Sequence, residues 1–556
     1  MGKRIYLLLI VVSAVSFLGI AVREKVPGYM DADYYYATGL RIATIKSWEE
    51  PFLWNYLSGL DTLPHPAFTY WMPIAGVITA IGIKISGLNN FWGARIGFII
   101  LSCCAVALSA FLSTRFTRKG WAALLTGLIA ICSGFYFAYL PTTDTFAVYM
   151  FLGSVFILLL GKLQNDANKL SATRKSVSRN RDQNSTGFFL SPLWTYGSLG
   201  VVSGLMYLTR ADGIIWLAMA SGGIIMQARF ASKYIKITWR KAGVYNYLLP
   251  MAVTFGIFLV VISPWIIRNL NHFGSIFAPG LSRAMWLSNY DQLFVYPASG
   301  ITFQSWLDPG LAEILKVRGW ALGMNLLTTF AVQGTIFLLP FILMGIWVNR
   351  KDWRVIIGVS GWLAVLLLMT GVFPFQGARG GFFHAGAGFQ PLFWALIPSG
   401  LEVITSWAAK IRTWESKRAI TLFSIALIGL SILVTTIITW QRLNGGTNSL
   451  AAWGERELSY LEVEAYLKSS GADPEDIVMA NNPPGYYAMN NRPAIVIPDG
   501  DLNTTLDAAR KFDAQYLILD EGYPSGLADV YLNPGDYPGI VFLDTRREIQ
   551  IYSLEP

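Results

Sequence analysis

The residues best suited to chemistry stand in short polar runs between long apolar segments. The first run reads Gly28-Tyr29-Met30-Asp31-Ala32-Asp33-Tyr34-Tyr35-Tyr36. Two carboxylates one residue apart can orient a nucleophile, hold a divalent metal or take a proton as general base. The same pair serves equally well as a solvated acidic turn capping a helix over about 34–45. Leu63-Pro64-His65-Pro66 sets an imidazole in a rigid turn before Tyr70-Trp71, and a turn with an incidental His would read the same. Pro141-Thr142-Thr143-Asp144 places a carboxylate between two apolar segments, where it is costly unless paired or functional.

Cations complete the set. Arg210-Ala211-Asp212-Gly213 offers an Arg and an Asp in a tight turn, which can simply satisfy each other. Arg268 follows Pro264-Trp265, and Arg379 sits in the glycine-rich turn Gly377-Ala378-Arg379-Gly380-Gly381 that runs on to His384. A guanidinium at a span end suits a phosphate, which its planar fork binds through two oxygens; it can equally snorkel to headgroups. The glycines let backbone approach a ligand closely.

The elements that must position these groups are membrane spans. Of 556 residues, 54% are hydrophobic and 14% charged, against about 25% charged in ordinary soluble chains. The apolar residues fall in blocks of about 18 or more, the length that crosses a bilayer as a helix. A formal charge of +9 comes from basic runs between those blocks, a positive-inside pattern and not the footprint of a nucleic-acid binder. Cys103, Cys104 and Cys132 lie inside apolar segments and form neither a disulfide frame nor a metal set.

Span parity decides which residues share a side. Counting apolar blocks against basic clusters gives about eleven spans, the first near 5–22 and the last near 419–440, with the N-terminus cytoplasmic. Reading 68–86 as a further span would put Arg115, Arg118 and Lys119 outside, so it is expected as an interfacial helix. Residues 1–440 then form a membrane unit, with a first outer loop of about 23–92 and a flexible cytoplasmic loop of about 162–191. Residues 441–556 form an extracytoplasmic unit in which short apolar runs alternate with helix-like stretches, a small α/β accessory domain. Neither GxGxxG nor GxxxxGK[ST] occurs there, so nothing points to nucleotide binding. Parity puts Asp31, Asp144, Arg210, Arg268, Arg379 and His384 on the outer face.

Taken in order, these motifs resemble those of the GT-C superfamily of polyprenyl-phosphate-dependent glycosyltransferases, in the branch of protein O-mannosyltransferases and lipid A aminoarabinose transferases. The likeness rests on Asp31-Ala32-Asp33-Tyr34, His65-Pro66 before Tyr70-Trp71, Leu140-Pro141-Thr142-Thr143-Asp144, Leu208-Thr209-Arg210-Ala211-Asp212-Gly213, Pro264-Trp265 with Arg268-Asn269, and the Arg379 to His384 turn. It implies a helical membrane bundle in the cell (plasma or inner) membrane with interfacial helices. It implies inverting transfer from a polyprenyl-phosphate sugar to a hydroxyl of a lipid, glycan or protein. Asp31, Asp33 and Asp144 would be the catalytic carboxylates, with Asp31 or Asp33 as base. His65, Arg268, Arg379 and His384 would hold the donor phosphate, supported by Tyr35, Arg210 and Asp212. A metal-dependent mode stays open, in which Mg or Mn would sit on Asp31, Asp33 and Asp144. The rival reading is a transporter or flippase of lipid-linked sugars, which needs the same cations but breaks no bond.

Overall fold

The computed structural model describes residues 2–177, 191–232, 247–445 and 452–555. Eight of its helices are long and apolar enough to cross a membrane, from 19 to 29 residues; at 1.5 Å per residue these reach about 28 Å or more. They are Lys3–Ala21, Phe91–Thr117, Thr145–Lys169, Ala211–Phe230, Leu249–Phe273, Trp353–Gly371, Gln390–Arg412 and Ser416–Asn444. The protein is thus a polytopic helical membrane protein.

Of the other three expected spans, the third (about 121–140), fifth (about 193–209) and eighth (about 322–347), the fifth has its expected bounds and the other two differ. The third stops at Ile131 after 12 residues, Gly120–Ile131, and gives way to a tight turn at Gly134–Tyr136. The fifth, Leu193–Thr209, has 17 residues. The eighth is broken: Gly310–Thr328 runs into a wide turn, Thr329–Gln333, and resumes as Leu339–Val348. Thr335 and Ile336 at the break hold φ of 41° and 57°, a left-handed backbone no continuous helix accepts. Ile74–Ser86 has 13 residues, about 20 Å of helix and short of a crossing.

The expected flexible loop at 162–191 needs correction, because helix Thr145–Val177 continues through its first half. Lys162 pairs with Asp166 at 3.1 Å along that helix, and such i,i+4 pairs extend a helix beyond its apolar part. The rest of that loop, with Arg179 and Arg181, and the basic run Lys233, Lys236, Arg240 and Lys241 lie outside the described residues.

Two features bring the loop ends together at one end of the bundle. Gly153 of helix Thr145–Val177 meets the backbone at Gly388, where an added Cβ would lie 2.0 Å from the carbonyl oxygen. That contact draws the segment carrying His384 onto the helix that follows Asp144. The second feature is Arg95, fully buried, whose guanidinium pairs with Glu24 at 2.8 Å and also donates to the carbonyls of Ala21, Glu24 and Pro141. It ties the end of the first helix to the loop before Asp144. Removing one partner of such a buried pair costs about 3–5 kcal/mol.

The C-terminal residues build a six-stranded sheet, but not alone. The central strands Ala494–Val496, Ile477–Ala480 and Ala514–Leu519 are parallel, and Ile549–Leu554 and Ile540–Arg546 follow antiparallel. The strand at the other edge is Phe52–Leu53, from the first long loop, parallel to Ala494–Val496. Ala494 N donates to Pro51 O at 3.1 Å and Tyr56 Oη to Val496 O at 2.5 Å. The α/β arrangement of the tail thus takes one edge strand from the first long loop. A two-residue strand has no readable period, so the sequence gives no sign of it.

Candidate functional site

Asp31 is the second residue of helix Met30–Thr44, Asp144 directly precedes helix Thr145–Val177, and His384 lies in the short helix Phe382–Ala387. The fold brings the three together. His384 Nε2 stands 3.0 Å from Asp144 Oδ2 and 3.3 Å from Asp31 Oδ2. Its Nδ1 donates to Gly380 O at 2.9 Å, a carbonyl turned inward because Gly380 holds φ +120°. Only glycine adopts that backbone readily. The imidazole stacks on Phe146, ring centres 4.1 Å apart.

The two carboxylates differ in access and in charge state. The Asp144 side chain is 1% exposed and that of Asp31 30%. Burial works to raise the Asp144 carboxyl, but His384 and hydrogen bonds from His384, Tyr29 and Thr145 outweigh it and hold it below the usual range. Tyr29 Oη donates to Asp144 Oδ2 at 2.7 Å. Asp31 goes the other way. Burial pushes its carboxyl up to about 6, against the pull of His384 and with the push of Asp144. Burial likewise disfavours a charged His384, yet the two carboxylates raise it above its ordinary value. One closed carboxylate anchors the imidazole while the more open one stands 3.3 Å from the same nitrogen.

Arg210 borders this group. Its Nη2 meets Asp212 Oδ2 at 3.0 Å and Gly381 O at 3.2 Å, and Asp212 in turn accepts from Tyr149 Oη at 3.0 Å. Tyr35 is 2% exposed and close enough to Asp31, Asp144 and Arg210 that its phenol is kept protonated, burial being the main cause. Arg379 is exposed, its guanidinium 4.0 Å from the centre of the Tyr290 ring.

Other expected site residues fall elsewhere. Asp33, 0% exposed, accepts from Asn482 Nδ2 at 2.8 Å; burial first, then Glu457 beside it, pushes its carboxyl well above the usual range. The expected metal set of Asp31, Asp33 and Asp144 is thus corrected to Asp31, Asp144 and His384, whose ligand atoms all lie within 4.8 Å of one another. Helix geometry is the reason, since residues two apart point to opposite sides. His65 is also buried, both ring nitrogens against backbone carbonyls, of Pro66 at 3.0 Å and Phe52 at 2.9 Å. Arg268 donates to Asn269 Oδ1 at 2.9 Å and to Ala67 O, beneath the rings of Trp265 and Phe273. The four expected phosphate ligands are split: His65 and Arg268 brace the first long loop, His384 stands by Asp31, and Arg379 lies over Tyr290. Glu50, in the same loop, is 1% exposed and accepts from Thr38 Oγ1 at 2.8 Å.

The set Asp31, Asp144 and His384 suits a divalent cation by its chemistry, two carboxylate oxygens and one imidazole nitrogen. The nitrogen suits Mn better than Mg, which prefers oxygen alone. The Gly380 carbonyl on Nδ1 is the outer hydrogen bond that orients metal-ligating imidazoles. Sequence reasoning missed Tyr29, Tyr290 and the Arg95–Glu24 pair. Tyr29 stood in the first run but carried no mark to separate it from its tyrosine neighbours.

The architecture, a helical membrane bundle carrying a C-terminal α/β unit, is shared with a solved structure. The chain has the fold of the crystal structure of ArnT from Cupriavidus metallidurans bound to undecaprenyl phosphate, with 10% identity over 100% of this chain and 98% of that one and a TM-score of 0.52. It is also similar to an Archaeoglobus fulgidus oligosaccharyltransferase tethered with an acceptor peptide (13% identity, 93% and 69% of the two chains, TM-score 0.48). The apo state of the same Cupriavidus ArnT gives 11% identity over 97% of each chain and a TM-score of 0.46. No family model and no curated protein matches the sequence.

Proposed function

We propose that this protein is a membrane glycosyltransferase that moves a sugar from a polyprenyl-phosphate carrier to an acceptor hydroxyl at the outer membrane surface, with inversion. The observation that carries the reading is the pairing of an open carboxylate, Asp31, with a closed Asp144–His384 pair, beside Arg210. A transporter needs cations along its path, but no open carboxylate set against a closed carboxylate–imidazole pair at a loop end.

In this reading Asp31 takes the acceptor's proton as the acceptor oxygen bonds to the anomeric carbon. The bond from that carbon to the carrier's phosphate oxygen breaks, and its electron pair leaves with the polyprenyl phosphate. Arg379, with its fork exposed, and Arg210, rigidly aimed by Asp212, offset the charge that grows on the phosphate. Asp144 and Gly380 fix the imidazole of His384, which sets the place of Asp31. A divalent cation, where bound, would be held by Asp31, Asp144 and His384 and would supply positive charge for the leaving phosphate.

The test is carrier release. Purified protein is incubated with a panel of undecaprenyl-phosphate sugars and envelope extract as acceptor, and free undecaprenyl phosphate is measured by mass spectrometry. Release from at least one donor is expected. Translocation of a donor across vesicles without release would overturn the reading in favour of the transporter.

A further inference from the structure

Open α/β sheets take their ligands at the carboxyl ends of parallel strands, where the connections turn to opposite faces. Here that place lies between Ile477–Ala480 and Ala514–Leu519, neighbours in the sheet. From the first of these the chain runs by helix Pro483–Asn490 to Ala494–Val496 on one side. It then crosses by helix Leu502–Phe512 to Ala514–Leu519 on the other. Asn481, Asn482 and Asp520 follow the two strands.

A side chain from the same protein occupies this crevice. Asp33 Oδ2 accepts from Asn482 Nδ2 at 2.8 Å, across 449 positions of sequence. The residues are 0% and 1% exposed. Asn482 Oδ1 meanwhile accepts from Gly485 N at 3.1 Å and so caps the helix that begins there. A Cβ at Gly485 would stand 2.8 Å from the Asp33 carboxylate, so a side chain there would displace it. Helix Met30–Thr44, which carries Asp33, is held at two further places. Arg41 Nη1 donates to Tyr487 Oη at 2.7 Å. Before its start, Trp453 Nε1 donates to Val26 O at 2.9 Å and lies against Gly28, where a Cβ would be 2.4 Å away.

We infer that the C-terminal α/β unit is a receptor for helix Met30–Thr44, and that the Asp33–Asn482 hydrogen bond is the contact that positions Asp31 against His384. Asp31 and Asp33 leave one helical turn on opposite sides, so the turn cannot roll without moving both. One side faces His384; the other is gripped by Asn482. Asp33 is then a positioning residue, and its oxygen matters as an acceptor, not as a charge. The inference rests on the role proposed for Asp31.

The test uses the full chain with Asn482→Ala, Asp33→Asn and the exchanged pair Asp33→Asn/Asn482→Asp. Two readouts are taken: hydrogen–deuterium exchange over 30–44, and kcat and KM for carrier release. Asn482→Ala should exchange faster over 30–44 and lose about 10- to 100-fold in kcat, the scale of a misplaced reacting group, with KM within about twofold. Asp33→Asn keeps the acceptor oxygen and should stay within about threefold of the natural protein. The exchanged pair should restore the single Asn482 variant. Unchanged exchange over 30–44 in Asn482→Ala overturns the inference, as does an Asp33→Asn protein as inactive as Asp31→Asn. If Asn482→Ala fails to fold, the exchanged pair decides, and its failure to fold also overturns the inference. No carrier release by the natural protein, with altered exchange in Asn482→Ala, would overturn the glycosyltransferase reading alone.

Discussion

Replacing Asp31 by asparagine should remove sugar transfer while leaving the protein folded, and the contrast in size is what makes the experiment decisive. Asparagine has the same shape, and Asp31 is the more open carboxylate of the site, its side chain 30% exposed with His384 Nε2 3.3 Å away. A contact that open is worth about 1 kcal/mol or less. Losing a positioned general base costs about 10²- to 10⁴-fold in rate, equivalent to about 2.7–5.5 kcal/mol of barrier. The expected result is therefore a kcat lower by at least about two orders of magnitude, with a thermal midpoint shifted by only a few degrees. Release of undecaprenyl phosphate gives the first quantity, and intrinsic fluorescence during heating in detergent gives the second. Transfer within about threefold of the natural rate, against the fall expected for a lost base, would refute Asp31 as the group that takes the proton. A large fall in the midpoint would instead make it a structural residue.

Three further outcomes follow from the same geometry. Exhaustive chelation should lower carrier release, and Mn²⁺ should restore it better than Mg²⁺ because His384 contributes nitrogen; full activity after chelation would remove the metal from the reading. Glu50, buried and pushed by burial up to about 7 from 4.5, binds its proton more tightly folded than unfolded, so the natural protein should lose stability as pH rises through that window. Glu50→Gln should then be the more stable protein at pH 8, by about 3 kcal/mol at most, and by under about 1 kcal/mol at pH 5. Melting both at the two pH values checks the sign, and a gap that widens toward pH 5 would refute it. Deleting 446–556 should abolish transfer outright and speed hydrogen exchange over 49–56, since Phe52–Leu53 would lose the strand it pairs with. Retained turnover would make the C-terminal unit a true accessory.

That last expectation reverses what the sequence suggests. Hydropathy falls after the last long helix, and a separate α/β unit is the natural reading of the strands and helices that follow. Its edge strand, however, comes from residues 52–53, and no local signal marks two residues as a strand.

What the sequence determined by itself was whatever depends on local composition. Long apolar blocks specify spanning helices because lipid demands internal hydrogen bonding and a fixed length. Eight of them are helices of that length. Asp144 was legible as special because a lone carboxylate between two such blocks is costly. The break at Thr335 and the helix through Val177 were not legible, since packing and charge pairing there override hydropathy.

Tertiary structure alone gave Asp31 and Asp33 different surroundings. As sequence the two are equivalent, carboxylates one residue apart at the start of one helix. Their difference lies in partners that only the folded chain supplies: His384 for one, and Asn482, 449 positions away, for the other. The same holds for the cations. His65, Arg268 and Arg379 read alike as phosphate ligands, but backbone carbonyls already take the first two. A side chain's chemistry is carried by its type, while its availability is set by what surrounds it, and those surroundings come from distant parts of the chain.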